Sequence, residues 1–288
     1  MGSLDGRVIV ITGAAGGLGR AYATLFAQEG AKIVANDIAD ATGLEQLVHE
    51  IREVGGEIVP HGGDISDERD ADELLTRSLD TFGRVDVLVN NAGTFREGSI
   101  LDSSAEDWDA QMRVHLRGHF LATRAAGWHW RARRRNGGAV HASVVNTTSR
   151  SALNAIEGHA VYGAAKAGII TFTLIAAKEL AEYGVRVNCV APFARTAMTS
   201  GITTLAGSMP RPPDGFDRFD PANVAPLVGY LATRDCPLSG QVLFCHGGTV
   251  QRYEPWRAGP ILANDTAWTI DDLAGRVPRL GEDDHRQS

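Results

Sequence analysis

Tyr162 and Lys166 stand four residues apart, and Ser149 precedes the tyrosine by thirteen. On one helix, positions i and i+4 share a face, so the Lys166 ammonium can stand beside the Tyr162 phenol. A phenol titrates near 10 and is a poor base at neutral pH. A fixed positive charge beside it favours the phenolate and moves it toward proton transfer. The second group with chemistry in it is Thr12-Gly13-Ala14-Ala15-Gly16-Gly17-Leu18-Gly19, which follows a short β-branched run. Small residues there let a backbone approach a pyrophosphate, and a helix opening at Gly19 supplies N–H donors and positive potential. The commoner G-x-G-x-x-G pattern is not met from Gly13, and no Gly-Lys-Ser/Thr follows, which excludes a P-loop.

Strands and helices must alternate to hold these groups. Arg7–Thr12, Lys32–Asp37, Glu57–Pro60, Val85–Val89, Ala142–Thr147, Val185–Val190 and Gln241–Cys245 read as strands. Helices are expected over Leu18–Glu29, after Asp37 to near Gly55, over Glu68–Phe82, over about Ala105–Arg135, and from Tyr162 to about Tyr183. This rhythm predicts an α/β, Rossmann-type doubly wound parallel sheet in three layers, α/β/α, as one domain over residues 1–288. The Pro- and Gly-rich stretch 197–220 reads as a substrate loop, and 253–288 as a C-terminal extension that packs through Trp256 and Trp268, its last eight residues disordered. The segment from Gly163 to Leu180 is apolar nearly all the way round, which predicts burial against the sheet on one side and another subunit on the other.

Asp37 ends the second strand, eighteen residues past Gly19, where a carboxylate accepts from an adenosine ribose 2′-hydroxyl and repels a 2′-phosphate. No Lys or Arg follows before Arg52, so NAD is the expected cofactor. Asp64 is placed either at the adenine edge or as a helix cap. The net charge of −7 argues against a nucleic-acid partner, and 43% apolar with 22% charged residues is an ordinary soluble composition. With no apolar signal core before the first strand and no continuous apolar run of spanning length, a cytoplasmic protein without a membrane segment is expected. Cys189, Cys236 and Cys245 lack metal spacing and read as buried free thiols.

The chain resembles the short-chain dehydrogenase/reductase family from Arg7 to about Gly248, on TGAAGGLG, Asn90-Asn91-Ala92-Gly93, Ser149, Tyr162-x-x-x-Lys166 and Val187-Asn188-x-x-Ala191-Pro192. The resemblance implies that Tyr162 passes the hydroxyl proton, Ser149 hydrogen-bonds the reacting oxygen, and Lys166 holds the nicotinamide ribose and tunes the tyrosine. Cofactor contacts are implied for Gly13, Gly17, Leu18, Gly19, Ile65, Asn91, Ala92, Gly93, Pro192 and, one residue early, Thr196. A homodimer or homotetramer is the family habit. Where the family has asparagine in an N-L-x-G context, this chain has His115-Leu116-Arg117-Gly118. Arg113–Gly118, Gly19–Ala23 and Val34-x-Asn36-Asp37 resemble the (3R)-hydroxyacyl-CoA dehydrogenase unit of multifunctional peroxisomal β-oxidation proteins. That implies a (3R)-hydroxyacyl-CoA or a similar secondary alcohol as substrate, with His115 holding a water of the proton relay or simply buried.

Phe193 stands where the family has glycine. His115 and His119 are spaced i, i+4, but without a third ligand no metal is expected. Arg131, Arg133, Arg134 and Arg135 read as a solvated helix end or as a contact to coenzyme A phosphates. The competing readings are a hydroxysteroid dehydrogenase, an NADPH-dependent 3-oxoacyl reductase, and a nucleotide-sensing scaffold that keeps the fold without the chemistry.

Overall fold

The computed structural model describes residues 2–38, 42–200, 207–254, 256 and 258–278. The chain divides into two units, Met1–Tyr253 and Glu254–Ser288. In the first, the strands are β1 Val8–Thr12, β2 Lys32–Asp37, β3 Glu57–Gly62, β4 Val87–Asn90, β5 Ala142–Thr147, β6 Val185–Pro192, β7 Val242–His246 and β8 Thr249–Tyr253. The helices are α1 Gly17–Gln28, α2 Thr42–Glu53, α3 Glu68–Phe82, α4 Ala105–Met112, α5 Gly118–Arg135, α6 Ser151–Asn154, α7 Ala160–Glu179, α8 Ala197–Ser200 and α9 Ala225–Ala232. The strands lie in the order β3-β2-β1-β4-β5-β6-β7-β8. All neighbours are parallel except β7 and β8.

Every residue of β1, β4 and β5 is buried, as a parallel sheet covered on both faces requires. On one face Ile9, Ile11 and Ile33 pack with Phe26 of α1, Leu47 of α2 and Val228 of α9. On the other, Val10, Leu88 and Val144 pack with Leu74 of α3 and Trp130 of α5. The Trp130 indole N–H donates to the Val85 carbonyl at 2.9 Å, so its large apolar ring is buried without leaving a donor unmet. The strand order reverses between β1 and β4. In an open α/β sheet that switch point leaves a crevice at the carboxyl ends of the strands.

Three departures from the sequence reading matter. After the last expected strand the chain turns at Gly247, φ 52, into a further, antiparallel strand, β8. Residues Thr249–Arg252 are exposed and mostly polar, so this edge strand carries no alternating apolar signal. The helix expected over 105–135 is broken by a π turn, Arg113–Arg117, which turns His115 inward. By length and composition α7 alone among the described helices would pass as a membrane span. Its Ile169 and Ile170 instead pack with Cys189 of β6 and Val242 of β7, while Phe172 lines a groove of about 330 Å³ with Phe120 and Trp128 of α5.

In the second unit, α10 Ile270–Arg276 is closed by a capping box between Thr269 and Asp272. The Arg276 guanidinium lies 5.2 Å from the Trp268 ring centre. Residues 201–206 of the expected substrate loop and the terminal residues 281–288 lie outside the described residues.

Candidate active site

The crevice begins with two glycines that no larger residue could replace in place. Gly13 follows β1 at φ 66, and a Cβ on it would lie 2.8 Å from the Ala92 Cα. A Cβ on Gly19 would lie 2.0 Å from the Gly13 carbonyl oxygen. Thr12 and Asn91 fasten this loop to the end of β4. The Thr12 hydroxyl oxygen accepts from the Asn91 and Ala92 amides, each at 3.0 Å. The Asn91 side-chain amide donates to the Thr12 and Gly13 carbonyls at 3.0 and 3.1 Å. The first turn of α1 has no side-chain cap and no acidic residue, so its N–H groups are left for an anion. This cradle fits the pyrophosphate of a dinucleotide.

Thr196 faces the loop, its Cγ2 3.3 Å from the point a Gly17 Cβ would occupy, while its Oγ1 accepts from the Thr199 amide. Leu18 packs on the core beneath, Ile65 is buried against Gly118, and Pro192 ends β6. Gly93 lies against His115, where a Cβ would fall 2.5 Å from the ring.

Asp37 closes the loop from the β2 side. Its carboxylate accepts from the Ala15 amide at 2.8 Å and from the Ile38 amide at 2.9 Å. Arg20, on the first turns of α1, is committed to Glu50 and to the Gly43 carbonyl. Asp64 accepts from the amide and hydroxyl of Ser66 at 2.9 and 2.6 Å and lies 3.4 Å from Arg113. Burial pushes its carboxyl up, but Ser66 and Arg113 outweigh this and hold it below the usual range. The helix-cap role considered for Asp64 belongs to Asp67, which accepts from the Arg69 and Asp70 amides.

Ser149 follows β5, while Tyr162 and Lys166 lie on the first turns of α7. The Lys166 ammonium donates to the Thr147 carbonyl at 2.8 Å and stands 5.5 Å from the Tyr162 ring centre. The Thr148 hydroxyl donates to the Lys166 carbonyl at 2.8 Å and ties α7 to β5. Below lies a buried polar chain. The Asn90 amide donates to Asn146 at 2.9 Å, and the Asn146 amide donates to Thr173 at 2.9 Å. Polar atoms enclosed this way fix strand and helix positions because any slip leaves a buried group unpaired.

The electrostatics differ from the sequence expectation. Lysine proximity favours the phenolate, but burial dominates: it pushes the Tyr162 phenol up to about 12, against a smaller lowering by a hydrogen bond from Ser149. Burial likewise pulls the Lys166 amine down to about 7. Each charge alone is disfavoured in this site, and only the ammonium–phenolate pair compensates.

His115 is fully buried. Its Nε2 lies 2.5 Å from the Thr94 carbonyl oxygen and 3.3 Å from the Thr94 amide nitrogen, and its Nδ1 has no partner. Its ring meets Tyr162 edge-on at 5.3 Å. Burial first, then Lys166, holds both His115 and His119 well below the ordinary imidazole value. Among the described residues no group of three His, Cys, Asp or Glu could hold a metal. Cys189, Cys236 and Cys245 are free and buried.

Sequence reasoning missed His159 and Phe95. His159 Nδ1 lies 2.8 Å from the Ser151 hydroxyl oxygen, and Ser149 donates to that same oxygen at 3.2 Å. The Phe95 ring packs edge-on 4.9 Å from both His159 and Tyr162. The available signal was the i−3 spacing of His159 from Tyr162. Ser151 joins the two groups. Phe193 forms an aromatic shelf with Phe219 and His246, and the Arg150 guanidinium lies 5.5 Å from Phe193.

The sequence model of short chain dehydrogenases matches residues 7–205. The chain is 43% identical over 283 residues to the hydroxyacyl-CoA dehydrogenase ChsB1 of Mycobacterium tuberculosis, covering 95% of this chain and 88% of that one. It is 38% identical to the peroxisomal multifunctional enzyme type 2 of Mus musculus, over 82% of this chain and 31% of that protein. A crystal structure of a short chain dehydrogenase from Mycobacterium avium superposes with a TM-score of 0.89 at 40% identity, covering 97% of this chain and 96% of that one. At 0.75, similar structures include one from Burkholderia cenocepacia with NADP (28% identical, 85% of this chain and 98% of that one) and a 3-ketoacyl-(acyl-carrier-protein) reductase from Brucella melitensis with NADH (30% identical, 85% and 98%). A glycine cradle at the switch point, a Ser/Tyr/Lys group beside it and these likenesses converge: the chain belongs to the short-chain dehydrogenase/reductase family, which binds nicotinamide cofactors, and is an oxidoreductase acting on CH–OH or keto groups.

Proposed function

We propose that the protein is an NAD-dependent dehydrogenase of a (3R)-hydroxyacyl-CoA-like secondary alcohol, with Ser149, Tyr162 and Lys166 as its catalytic residues. The observation that carries the reading is the Lys166 ammonium fixed by the Thr147 carbonyl beside the Tyr162 ring, with Ser149 placed after β5 at the same site. The glycine cradle and the first turn of α1 would hold the pyrophosphate, and Asp37 the adenosine ribose. An acidic residue at that point repels a 2′-phosphate, and Arg20 of α1 is already engaged by Glu50, which supports NAD over NADP. The substrate class is supported by likeness to the hydroxyacyl-CoA dehydrogenase ChsB1.

When bound, the nicotinamide supplies the hydride acceptor. The chain's own residues handle the proton. In oxidation the Tyr162 oxygen takes the hydroxyl proton of the alcohol, and Ser149 hydrogen-bonds the oxygen as its charge changes. A phenol near 12 is the resting form, so the base is generated only with Lys166 protonated beside it. In reduction the same phenol is the donor. Phe95 and His159 pack edge-on against the Tyr162 ring, at 4.9 and 6.2 Å. The exposed Phe120 and Trp128 beside the α5–α7 groove support a second copy of the chain on that face.

The test is NADH formation from NAD with a (3R)-hydroxyacyl-CoA, with a hydroxysteroid, a simple secondary alcohol and NADP as parallel arms. Tyr162→Phe should lower kcat by about 10²–10⁴ and leave NADH binding intact. Retained turnover in that variant would overturn the acid/base role, and turnover of the steroid alone would overturn the substrate class.

A further inference from the structure

We propose that the hollow beneath the amino ends of β1, β4 and β5 is a binding site for a phosphate group, either the free ion or the end of a small phosphate ester. It lies at the opposite end of the strands from the cofactor crevice and shares no residue with the site described above.

Charge is out of balance there. Arg7 precedes β1, Arg84 and Asp86 precede β4, Arg133 is in the last turn of α5, and Arg234 follows α9. All five line a hollow of about 140 Å³ walled by Trp130. Four guanidinium groups thus face one carboxylate, in a chain whose net charge is −7. That carboxylate is already used. Asp86 Oδ1 accepts from Arg84 Nε at 3.0 Å and Nη2 at 2.5 Å, and its Oδ2 accepts from the Val8 amide at 3.0 Å. Among the described residues Arg7, Arg133 and Arg234 form no ion pair.

Arg7 is the residue that ordinary packing leaves unexplained. It is only 9% exposed. Its Nη2 donates to the Asp86 and His141 carbonyls at 3.3 and 3.1 Å, and its Nε is enclosed without a partner. Arg133 Nε donates to the Ala139 carbonyl at 3.0 Å. Such carbonyl bonds hold a guanidinium in place, but a carbonyl bears only a partial charge, and a buried ion left unpaired is costly. Burial, against the pull of Asp86, and then the charges of Arg186, Arg84 and Arg234 hold the Arg7 guanidinium below the usual arginine range. Arg186 differs from the others, because it donates to the Leu231 and Thr233 carbonyls at the end of α9, where the helix dipole is negative.

An anion in the hollow supplies what the other guanidinium groups lack. Concavities lined by one sign of charge concentrate counter-ions. The volume equals that of about four to five waters in the liquid, which gives room for one phosphate group and none for a nucleotide. Guanidinium forks match phosphate oxygens in pairs, so several of them converging favour phosphate over a carboxylate. The Trp130 indole N–H is committed to the Val85 carbonyl, so this wall of the hollow is rigid and apolar.

The test is calorimetric titration of inorganic phosphate into the protein at constant ionic strength. The protein is kept saturated with NADH, because the cradle at α1 also accepts a phosphate. The wild type should bind phosphate saturably, and nitrate at the same ionic strength should not displace it. Arg133→Gln combined with Arg234→Gln should weaken binding by at least about tenfold, the worth of one hydrogen bond to a charged group, and leave NADH affinity unchanged. Both side chains are exposed, so the fold does not depend on them. Arg7→Gln should weaken phosphate by a similar factor. Glycerol 3-phosphate separates the two sources: tighter binding than phosphate assigns the hollow to the end of an ester, and weaker binding assigns it to the free ion. A double variant that binds phosphate as the wild type does would overturn the proposal. So would a wild type that gives no saturable heat, or one that yields phosphate to nitrate, and neither of these measurements needs a variant.

Discussion

Replacing Lys166 by methionine should stabilise the cofactor-free protein at neutral pH while abolishing turnover. Lys166 is 2% exposed and its amine titrates at about 7 instead of 10.5. At 1.36 kcal/mol for each pKa unit, that displacement means the folded state holds the ammonium at a cost of about 5 kcal/mol. The sign follows from proton binding. Below pH 7 both folded and unfolded chains carry the charge, and the folded state bears the full cost. Between about 7 and 10.5 the unfolded chain binds a proton that the folded chain does not, so this group makes stability rise with pH. Above 10.5 it is neutral in both states and contributes nothing.

Methionine has a similar volume, so packing changes by less than about 1.5 kcal/mol. Its thioether cannot donate to the Thr147 carbonyl, which loses a bond of 2.8 Å at about 1 kcal/mol. Lys166→Met should therefore gain about 3 kcal/mol at pH 7 and become slightly less stable than wild type near pH 10.5. Urea unfolding of both proteins at unit steps from pH 6 to pH 10 reads this directly, because a shift in midpoint at constant slope is a change in stability. A stability difference that stays flat over that range would refute the reasoning, since it would mean that Lys166 binds its proton equally in both states. Cofactor must be left out, because a ligand bound near the amine would mask the linkage.

Asp37→Ser removes the carboxylate that faces the ribose site, and the ratio of kcat/KM for NAD over NADP should fall by at least about tenfold, in line with the repulsion removed; an unchanged ratio would show that another residue sets cofactor choice. Gly19→Ala puts a methyl 2.0 Å from the Gly13 oxygen, so NADH binding measured by fluorescence titration should be lost. Full-affinity binding there would mean that the cradle is not the cofactor site.

Much of this protein is legible without coordinates. Asp37 at the end of β2 and α3 over Glu68–Phe82 follow from periodicity and turn chemistry, because apolar runs of strand length between Gly, Asn and Asp leave few alternatives. The pairing of Tyr162 with Lys166 is local too, a property of helical geometry that needs no fold. What the tertiary structure decides is everything set by burial and by neighbours distant in the chain. The Tyr162 phenol is raised rather than lowered because the enclosure of the whole site outweighs one nearby lysine, and no spacing rule contains the depth of a pocket. The π turn carries a buried His115 whose partner, the Thr94 carbonyl, is twenty-one residues away in the chain. The strand Thr249–Arg252 exists because β7 offers an open edge, not because its own residues demand it. His159 shows the division within one residue. Its spacing from Tyr162 is written in the sequence, but only the packing of Phe95 and Ser151 around it leaves its Nε2 buried without a partner.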